Sequence, residues 1–373
     1  MVAIKQIYTP IIKGKMYDLK SLGRLSEKAK LQIKPLVEAM PVPKDVTVDA
    51  HLEKFSHYVS KYYPSGALFV DFYGLMPGAE TEAGVPAVVA GYHLLVKKGR
   101  VVTPCYGFAR DDSLWSKLSK IAQKLEQGFC FRIDIDDLDD ASEDTWTQII
   151  ERSSDLNLPN FKIDLLIDLR DIRERDVSEL RELVIDFLSG KPAGPAYRSI
   201  TVAGSSALKS VTPIPKDGEG DVDRHELQLW IQLQHELGEI AELTYGDYGV
   251  IHPDFSDAAQ NPNTNSKIRY TSGRKIRYFR GHRLADAPGY AYFHQLAERV
   301  RNSDIYRGSE FSVGDKYIDD CADFNSGPGN LSTWVLVDMN HHLEYSAAQI
   351  ARLKSKIHDI QSMEDAEELL LVD

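Results

Sequence analysis

One stretch of strict alternation constrains the fold of this chain more than any other feature of its sequence. Between residues 128 and 137, every second residue is phenylalanine or isoleucine, and the positions between them hold Cys130, Arg132, Asp134 and Asp136. A β-strand places alternate residues on opposite faces. The stretch therefore predicts a strand with one apolar face and one face that carries a guanidinium and carboxylates.

The same pattern recurs elsewhere in the chain. In residues 161–171, Asp168 and Arg170 oppose a face of isoleucine and leucine, and in residues 66–73 Asp71 opposes leucine, valine and phenylalanine. A surface strand of an antiparallel sheet explains one such strand. Long helical stretches separate these strands, however, which is typical of parallel pairing with helices outside the sheet. The charged strand ends then point into the mouth of a closed barrel.

Eight predicted strands alternate with helices as far as residue 249, where Leu243–Gly249 forms the eighth and weakest strand. This is the (β/α)8 pattern. The alternative, a doubly wound open sheet, needs a glycine-rich phosphate loop after an early strand, and neither GxGxxG nor GxxxxGK[ST] occurs there. We therefore predict an α/β fold, a (β/α)8 TIM-like barrel with a C-terminal extension that includes a β-hairpin.

The tail of the chain is longer than one final helix requires. We predict a barrel over residues 1–305 with a hairpin insertion near 267–280, placed over the charged mouth, and an extension over 306–373 packed on the barrel. Tyr290–Val300 is the predicted eighth barrel helix. The segment Trp334–Met339 fits either a strand or a buried helix.

Charge and cysteine usage exclude several classes of function. The net charge of −12 over 373 residues argues against a broad nucleic-acid surface. No apolar run is long enough for a membrane span, and the first residues lack a signal-peptide core. The three widely spaced cysteines indicate reduced thiols. We therefore expect a cytoplasmic protein without a membrane partner.

Short motifs near both ends of the chain carry a family resemblance. They are Pro-Ile-Ile-Lys-Gly-Lys at 10–15, Leu19, Leu22, Lys-Pro-Leu-Val-Glu at 34–38, Gly329-Asn330, Trp334 and Asn340-His341-His342. Together they resemble the beta protein family, although Tyr17-Asp18-Leu19 replaces that family's usual Gly-Glu. The resemblance spans nearly the whole chain and implies a setting among mobile elements and phage-defence loci. It implies fold and context more than chemistry.

Function in eight-stranded barrels sits at the carboxyl ends of the strands and in the loops that follow. From this parity argument, the predicted catalytic residues are Glu38, Asp134, Asp168 and, from the tail, His341. The predicted ligand-binding residues are Lys13, Lys15, Asp71, Tyr73, Arg132, Arg170, Ser205 and Arg280. Many charges at one mouth are unusual for a barrel core, which branched apolar residues normally fill.

Two explanations of these charges stay open. The first is a buried ion network that is purely structural. The second is a site for a phosphate-bearing ligand or nucleotide, in which lysine and arginine hold phosphate oxygens. Carboxylates there would bind a divalent cation such as Mg²⁺ or Mn²⁺, or act as a general base.

Three functional hypotheses follow. The first is metal-assisted hydrolysis of phosphoesters or nucleotides in a phage-related or defence setting. The second is a non-enzymatic effector or sensor that binds a phage or host protein, with the basic hairpin residues as contacts: Arg269, Arg274, Lys275 and Arg277. The third, a Schiff-base lyase that uses Lys13, needs a readily deprotonated lysine, and the neighbouring charges of both signs oppose each other there.

Overall fold

Eight parallel strands close a barrel in the computed structural model, which describes residues 6–108, 110, 112–139, 142–192, 196–238, 242–254 and 264–356. The barrel strands, each hydrogen-bonded to the next and the last to the first, are β1 (Tyr8–Lys13), β2 (Leu36–Glu38), β3 (Leu68–Asp71), β4 (Val102–Gly107), β5 (Phe129–Asp134), β6 (Ile163–Asp171), β7 (Ser199–Ser205) and β9 (Leu243–Asp247). The predicted barrel is therefore confirmed. Between β7 and β9, the strand β8 (Glu219–Asp223) belongs to a separate sheet.

Helices connect the barrel strands and cover their outer face. They are α1 (Met16–Gly23), α2 (Glu27–Gln32), α3 (Val48–Tyr62), α4 (Ala87–Lys97), α5 (Trp115–Leu125), α6 (Ser142–Leu156), α7 (Val177–Ser189) and α8 (His225–Leu237). Local signals set several boundaries. Asp176 accepts hydrogen bonds from the Ser178 and Glu179 amides in the first turn of α7, and Gly190 follows its last residue.

The alternation in β5 divides its side chains as predicted. Phe129, Phe131 and Ile133 pack against the surrounding helices in the main core. Cys130 lies in a separate apolar cluster contributed by the inward positions of the strands, and Arg132 lies above it. The inward direction of the polar parity is therefore confirmed for this strand.

Three layers of side chains fill the barrel. At the amino ends of the strands, Asp164 pairs with Arg198 and, at 3.5 Å, with Lys34. Burial lowers the pKa of Lys34 to about 8, although Asp164 acts in the opposite direction. The middle layer is apolar: Ile11, Leu36, Phe69, Cys105, Cys130, Leu166, Ala203 and Tyr248. The third layer, at the carboxyl ends, is charged and forms the mouth described below.

A second sheet stands beside the barrel. The predicted hairpin is confirmed as β10 (Asn265–Ser272) and β11 (Lys275–Arg283), joined at Gly273, and β8 pairs with β11 as an unpredicted third strand. The sheet hydrogen-bonds the loops after β7 and β9, as when Tyr278 Oη accepts from the Leu208 amide and Arg269 donates to the Val250 carbonyl.

The prediction for the eighth barrel helix is wrong. Helix α9 (Tyr292–Arg301), which covers that segment, packs on the hairpin and on α10 (Val313–Ala322) in a second core. Helix α11 (Leu331–Lys356) covers the barrel instead, since Met339, Leu343 and Ile350 join the main core. An amphipathic pattern shows that a helix buries one face but does not show against which surface.

Helix α11 decides two further points. The segment Trp334–Met339, which fits a strand or a helix by sequence, is helical. The proposed boundary between residues 305 and 306 stays a prediction, and the barrel wall draws on residues from both sides of it.

Among the described helices, none is both long enough and apolar enough to cross a membrane.

Candidate functional site

The carboxyl ends of the barrel strands bring together a group of charged side chains, here termed the mouth cluster. Its members are Lys13, Glu38, Asp71, Arg110, Arg132, Asp168, Arg170, Tyr248 and Asp254. Five of them lie at inward positions of β1, β2, β3, β5 and β6. The parity of each strand thus converts residues far apart in the chain into neighbours.

Arg132 is the centre of the mouth cluster. Its guanidinium donates to Asp71 at 2.8 Å, to Asp168 at 2.6 and 2.9 Å, and to the Tyr248 hydroxyl at 2.9 Å. It also lies 2.7 Å from Glu38 Oε1. Although burial acts in the opposite direction, these partners raise the pKa of Arg132. One cation therefore joins three buried carboxylates.

Asp71 receives a second arginine from the β4–α5 loop. Arg110 donates to both of its oxygens, at 2.5 and 2.6 Å, in the bidentate geometry that guanidinium favours. Burial by itself raises the pKa of Asp71, but Arg110 and Arg132 outweigh it and hold that pKa below its ordinary value. Asp71 is therefore ionised at neutral pH and fixes both guanidiniums.

Glu38 pairs with Lys13 at 2.5 Å, and Lys13 also donates to the Pro253 carbonyl at 2.9 Å. The contact of Glu38 Oε1 with Arg132 is short, yet it lacks hydrogen-bond geometry, so this buried oxygen has no hydrogen-bond donor in the described part of the chain. We regard the contact as an ion pair because charge attraction depends on distance more than on angle.

Asp168 links the barrel interior to its rim. Its Oδ2 accepts from the Tyr248 hydroxyl at 2.6 Å, and its Oδ1 accepts from the Arg170 amide at 3.1 Å. Arg170 has a φ of +55°, a left-handed conformation that is uncommon for a residue other than glycine. Its guanidinium donates to Asp254 at 2.9 Å. The Asp168 carboxylate thus stabilises the turn that presents Arg170.

Tyr73 lies over this cluster. The guanidinium carbons of Arg110, Arg132 and Arg170 lie 5.4, 5.4 and 5.5 Å from the centre of its ring. The tyrosine itself is 54% exposed. Three cations from three loops or strands therefore converge beneath one accessible aromatic side chain, which is the arrangement that the separate strand patterns did not reveal.

A cavity of about 200 Å³ opens beside the mouth cluster, between the β3–α4 and β4–α5 connections. Arg110 belongs to both the cavity wall and the mouth cluster, and Tyr73, which lies over that cluster, also lines the cavity. The rest of the wall is mainly apolar. The charged mouth and the cavity are therefore continuous.

Four predicted site residues take other positions. Asp134 accepts from the Asp136 amide at 3.1 Å and thus closes its own loop next to the mouth. Ser205 is buried at the end of β7 and accepts from the Ala207 amide. Lys15 precedes α1. Arg280 donates to the carbonyls of Ile214 and Thr212, so it fastens a loop to the second sheet and lies outside the mouth cluster.

His341 lies in the second core and away from the mouth. It is fully buried on α11, where it hydrogen-bonds Asp315 at 2.8 Å and the Thr271 carbonyl at 2.9 Å and stacks on Tyr270. The placement of this histidine at the mouth was wrong because the tail helix, rather than a strand, carries it. Its contacts stabilise the packing of α11 on the hairpin.

Asp247, the last residue of β9, points away from the barrel interior. It faces α11, where it accepts from Tyr8 at 2.6 Å and contacts His342 Nε2 at 2.9 Å. The next residue, Tyr248, points inward in its place. The sequence held a signal for this parity, because Tyr245 shares the parity of Asp247 and packs in the main core.

The mouth carboxylates do not form a metal-ligand set in the described residues, where no group of three or more acidic, histidine or cysteine side chains is arranged to hold a metal ion. Asp71, Asp168 and Glu38 each face a guanidinium or ammonium group instead. A divalent cation such as Mg²⁺ or Mn²⁺ therefore stays a prediction from the sequence.

The fold and the site together define the class of protein: a closed parallel β/α barrel whose carboxyl-end mouth contains converging arginines paired with buried acids. A comparison with protein families then matches residues 8–348 to the family described as Beta protein. The chain therefore belongs to the Beta protein family, and the resemblance seen in its terminal motifs is confirmed. No curated protein matches the chain.

Proposed function

We propose that this protein binds a phosphate-bearing small molecule at the mouth of its barrel. The observation that carries the proposal is the convergence of Arg110, Arg132 and Arg170 beneath the exposed ring of Tyr73. Guanidinium groups recognise phosphate through paired N–H donors. A phosphate group that displaces or slides under Tyr73 would meet donors from two of these arginines at once.

Arg170 offers the most accessible donors. Its side chain is 30% exposed, and within the described residues its guanidinium donates only to Asp254, which is itself half exposed. A guanidinium has five N–H donors, so most of those of Arg170 remain for a ligand. Arg110 adds a partly exposed guanidinium held in place by Asp71. The acids therefore orient the arginines in advance of binding, which lowers the entropic cost of binding.

The charges of the mouth cluster favour binding over hydrolysis as the primary role. Glu38, Asp71 and Asp168 are each neutralised by a buried cation, and a general base or metal ligand among them would first have to leave that partner. Hydrolysis of a phosphoester, with or without a divalent cation, is therefore the secondary hypothesis. The atom that supports it is Oε1 of Glu38, which accepts no hydrogen bond within the described residues although it lies 2.7 Å from Arg132.

The basic residues of the hairpin give little support to the alternative, a non-enzymatic effector that binds a protein. Arg269 is buried against Asp338, and Arg277 pairs with Asp221 and Asp304. These cations stabilise the second sheet and are already paired. A role among mobile elements or phage-defence loci, and a cytoplasmic location, remain inferences from the sequence and from the family resemblance.

Binding can be tested by titration calorimetry with inorganic phosphate, ribose 5-phosphate and adenosine monophosphate, each with and without Mg²⁺. We expect at least one of them to bind, and Arg170→Gln to weaken that binding about tenfold, the loss typical of one charge-assisted contact. Arg181→Gln is the matched control, because Arg181 has a similar side-chain exposure of 31% and pairs with Glu236 on the outer helices. Absence of binding, or equal binding by both variants, would refute the proposal.

A further inference from the structure

The cavity beside the mouth has a wall of aromatic and aliphatic side chains. Its aromatic members are Phe72, Tyr73, Tyr92 and Tyr106, its charged member is Arg110, and its aliphatic members include Val88. Ligand pockets in proteins have this composition, with many apolar contacts and few polar groups.

The polar groups of this wall are largely committed to the protein. The Tyr92 hydroxyl donates to the Val70 carbonyl at 2.7 Å and accepts from the Cys105 amide at 3.3 Å. The Tyr106 hydroxyl donates to the Arg110 carbonyl. What the wall offers to an occupant is therefore apolar surface and ring faces, with the Arg110 guanidinium at the side that meets the mouth.

The entrance of the cavity exposes apolar side chains to solvent. Met76 is 76% exposed and Tyr73 is also accessible, and both line the cavity from the β3–α4 connection. A smaller cavity adjoins the first and shares Met76 and Val88 with it. Exposed apolar groups clustered around an opening mark binding surfaces more often than isolated ones do.

We propose that this cavity holds the base of a nucleotide whose phosphate lies on Arg110 and Arg170. The inference rests on the proposed phosphate binding at the mouth and specifies the class of ligand. Tyr73 and Arg110 form the boundary between both compartments, so a molecule with a flat ring at one end and a phosphate at the other spans them. A sugar phosphate alone would leave the apolar compartment unfilled.

Size and chemistry both favour a single base. The cavity volume of about 200 Å³ lies below the roughly 300–1,000 Å³ of sites for drug-sized ligands, so one ring system fits better than a larger molecule. Stacking of a base on an aromatic side chain strengthens binding roughly five- to 150-fold. Because few free hydrogen-bonding groups line the wall, we expect weak discrimination among bases and a preference for the larger purines.

The test compares adenosine monophosphate with ribose 5-phosphate by titration calorimetry on the full chain. These probes share the phosphate and the sugar and differ in the base. Adenosine monophosphate should bind about tenfold more tightly or better, as one stacking contact predicts. Val88→Trp, which fills the cavity from α4, should remove that advantage without weakening ribose 5-phosphate. Val96→Trp is the matched control, since Val96 lies on the same helix with 42% exposure and outside the cavity wall.

A second variant keeps the test informative if the Val88→Trp protein does not fold. Met76→Ser changes an exposed wall residue, so the fold should tolerate it, and it should reduce binding of adenosine monophosphate severalfold. Equal binding of the two probes by the unmodified protein, or an advantage that survives both cavity variants, would overturn the inference and leave phosphate binding intact. Absence of binding by every phosphate-bearing probe would overturn phosphate binding itself, and the inference with it.

Discussion

The strongest prediction from this structure is the effect of Arg132→Met, which replaces the arginine with an uncharged side chain of similar length. Loss of its guanidinium affects the three carboxylates unequally. Asp71 keeps both hydrogen bonds from Arg110, and Glu38 keeps Lys13. Asp168 loses two charged hydrogen bonds and, among the described residues, keeps no hydrogen bond or ion pair to a cationic side chain, only hydrogen bonds from the Tyr248 hydroxyl and a backbone amide.

The cost can be worked out from these contacts. Hydrogen bonds to charged groups contribute about 1.5–3 kcal/mol each, and removal of one partner of a buried ion pair costs about 3–5 kcal/mol. Since Asp168 is almost fully buried, we expect Arg132→Met to lower the free energy of unfolding by about 3–5 kcal/mol at pH 7. Urea denaturation followed by circular dichroism measures this change.

The pH dependence of that cost identifies its origin. A buried carboxylate without a cation binds a proton more readily than the same group in the unfolded chain. The folded variant then binds more protons than the unfolded variant, so its stability rises as the pH falls. The deficit relative to the unmodified protein should therefore shrink between pH 7 and pH 4.

Arg181→Met serves as the control, because Arg181 forms a surface pair with Glu236 and such pairs contribute about 0–1 kcal/mol. A cost at Arg132 below about 1 kcal/mol, or a cost that is the same at pH 7 and pH 4, would refute the argument that one guanidinium compensates the buried acids of the mouth.

Two further predictions test the contacts of α11. Burial raises the pKa of Asp247, but contacts led by His342 and joined by Arg224 outweigh burial and hold this pKa at about 2, below the ordinary 3.8. The ionised Asp247 therefore contributes about 2 kcal/mol to the free energy of unfolding above pH 4, and this contribution is lost as the pH falls through 2. The stability difference between Asp247→Asn and the unmodified protein should narrow by this amount from pH 5 to pH 2, and a constant difference would contradict it. Leu343→Ala should cost about 2–5 kcal/mol in urea denaturation because Leu343 is fully buried against the barrel, whereas Leu31→Ala, at 53% exposure, should cost little; equal costs would show that α11 does not cover the barrel.

Much of the mouth follows from local pattern. The alternation in β5 and β6 placed Arg132 and Asp168 on inward positions, and the structure joins them by hydrogen bonds. Only the tertiary structure shows that the Tyr73 ring lies above three guanidiniums and that Arg110 pairs with Asp71. A strand pattern gives the direction of each side chain but not its partner.

The tail shows the limit of such reasoning most clearly. His341 lies next to Asp315 and Tyr270, and Arg280 binds loop carbonyls, although sequence reasoning placed both at the mouth. The position of this histidine is set by the orientation of a 26-residue helix. The surface that the helix covers depends on competition between the barrel and the second sheet.

The sequence by itself determined the barrel, because the hydrophobic periodicity of each strand and helix can be recognised within a few residues. It also determined that charge lies at the carboxyl ends of the strands. Only the tertiary structure decided which helix closes the barrel wall and which arginines meet above the acids. Those choices depend on contacts between residues far apart in the chain, and neither periodicity nor composition encodes such contacts locally.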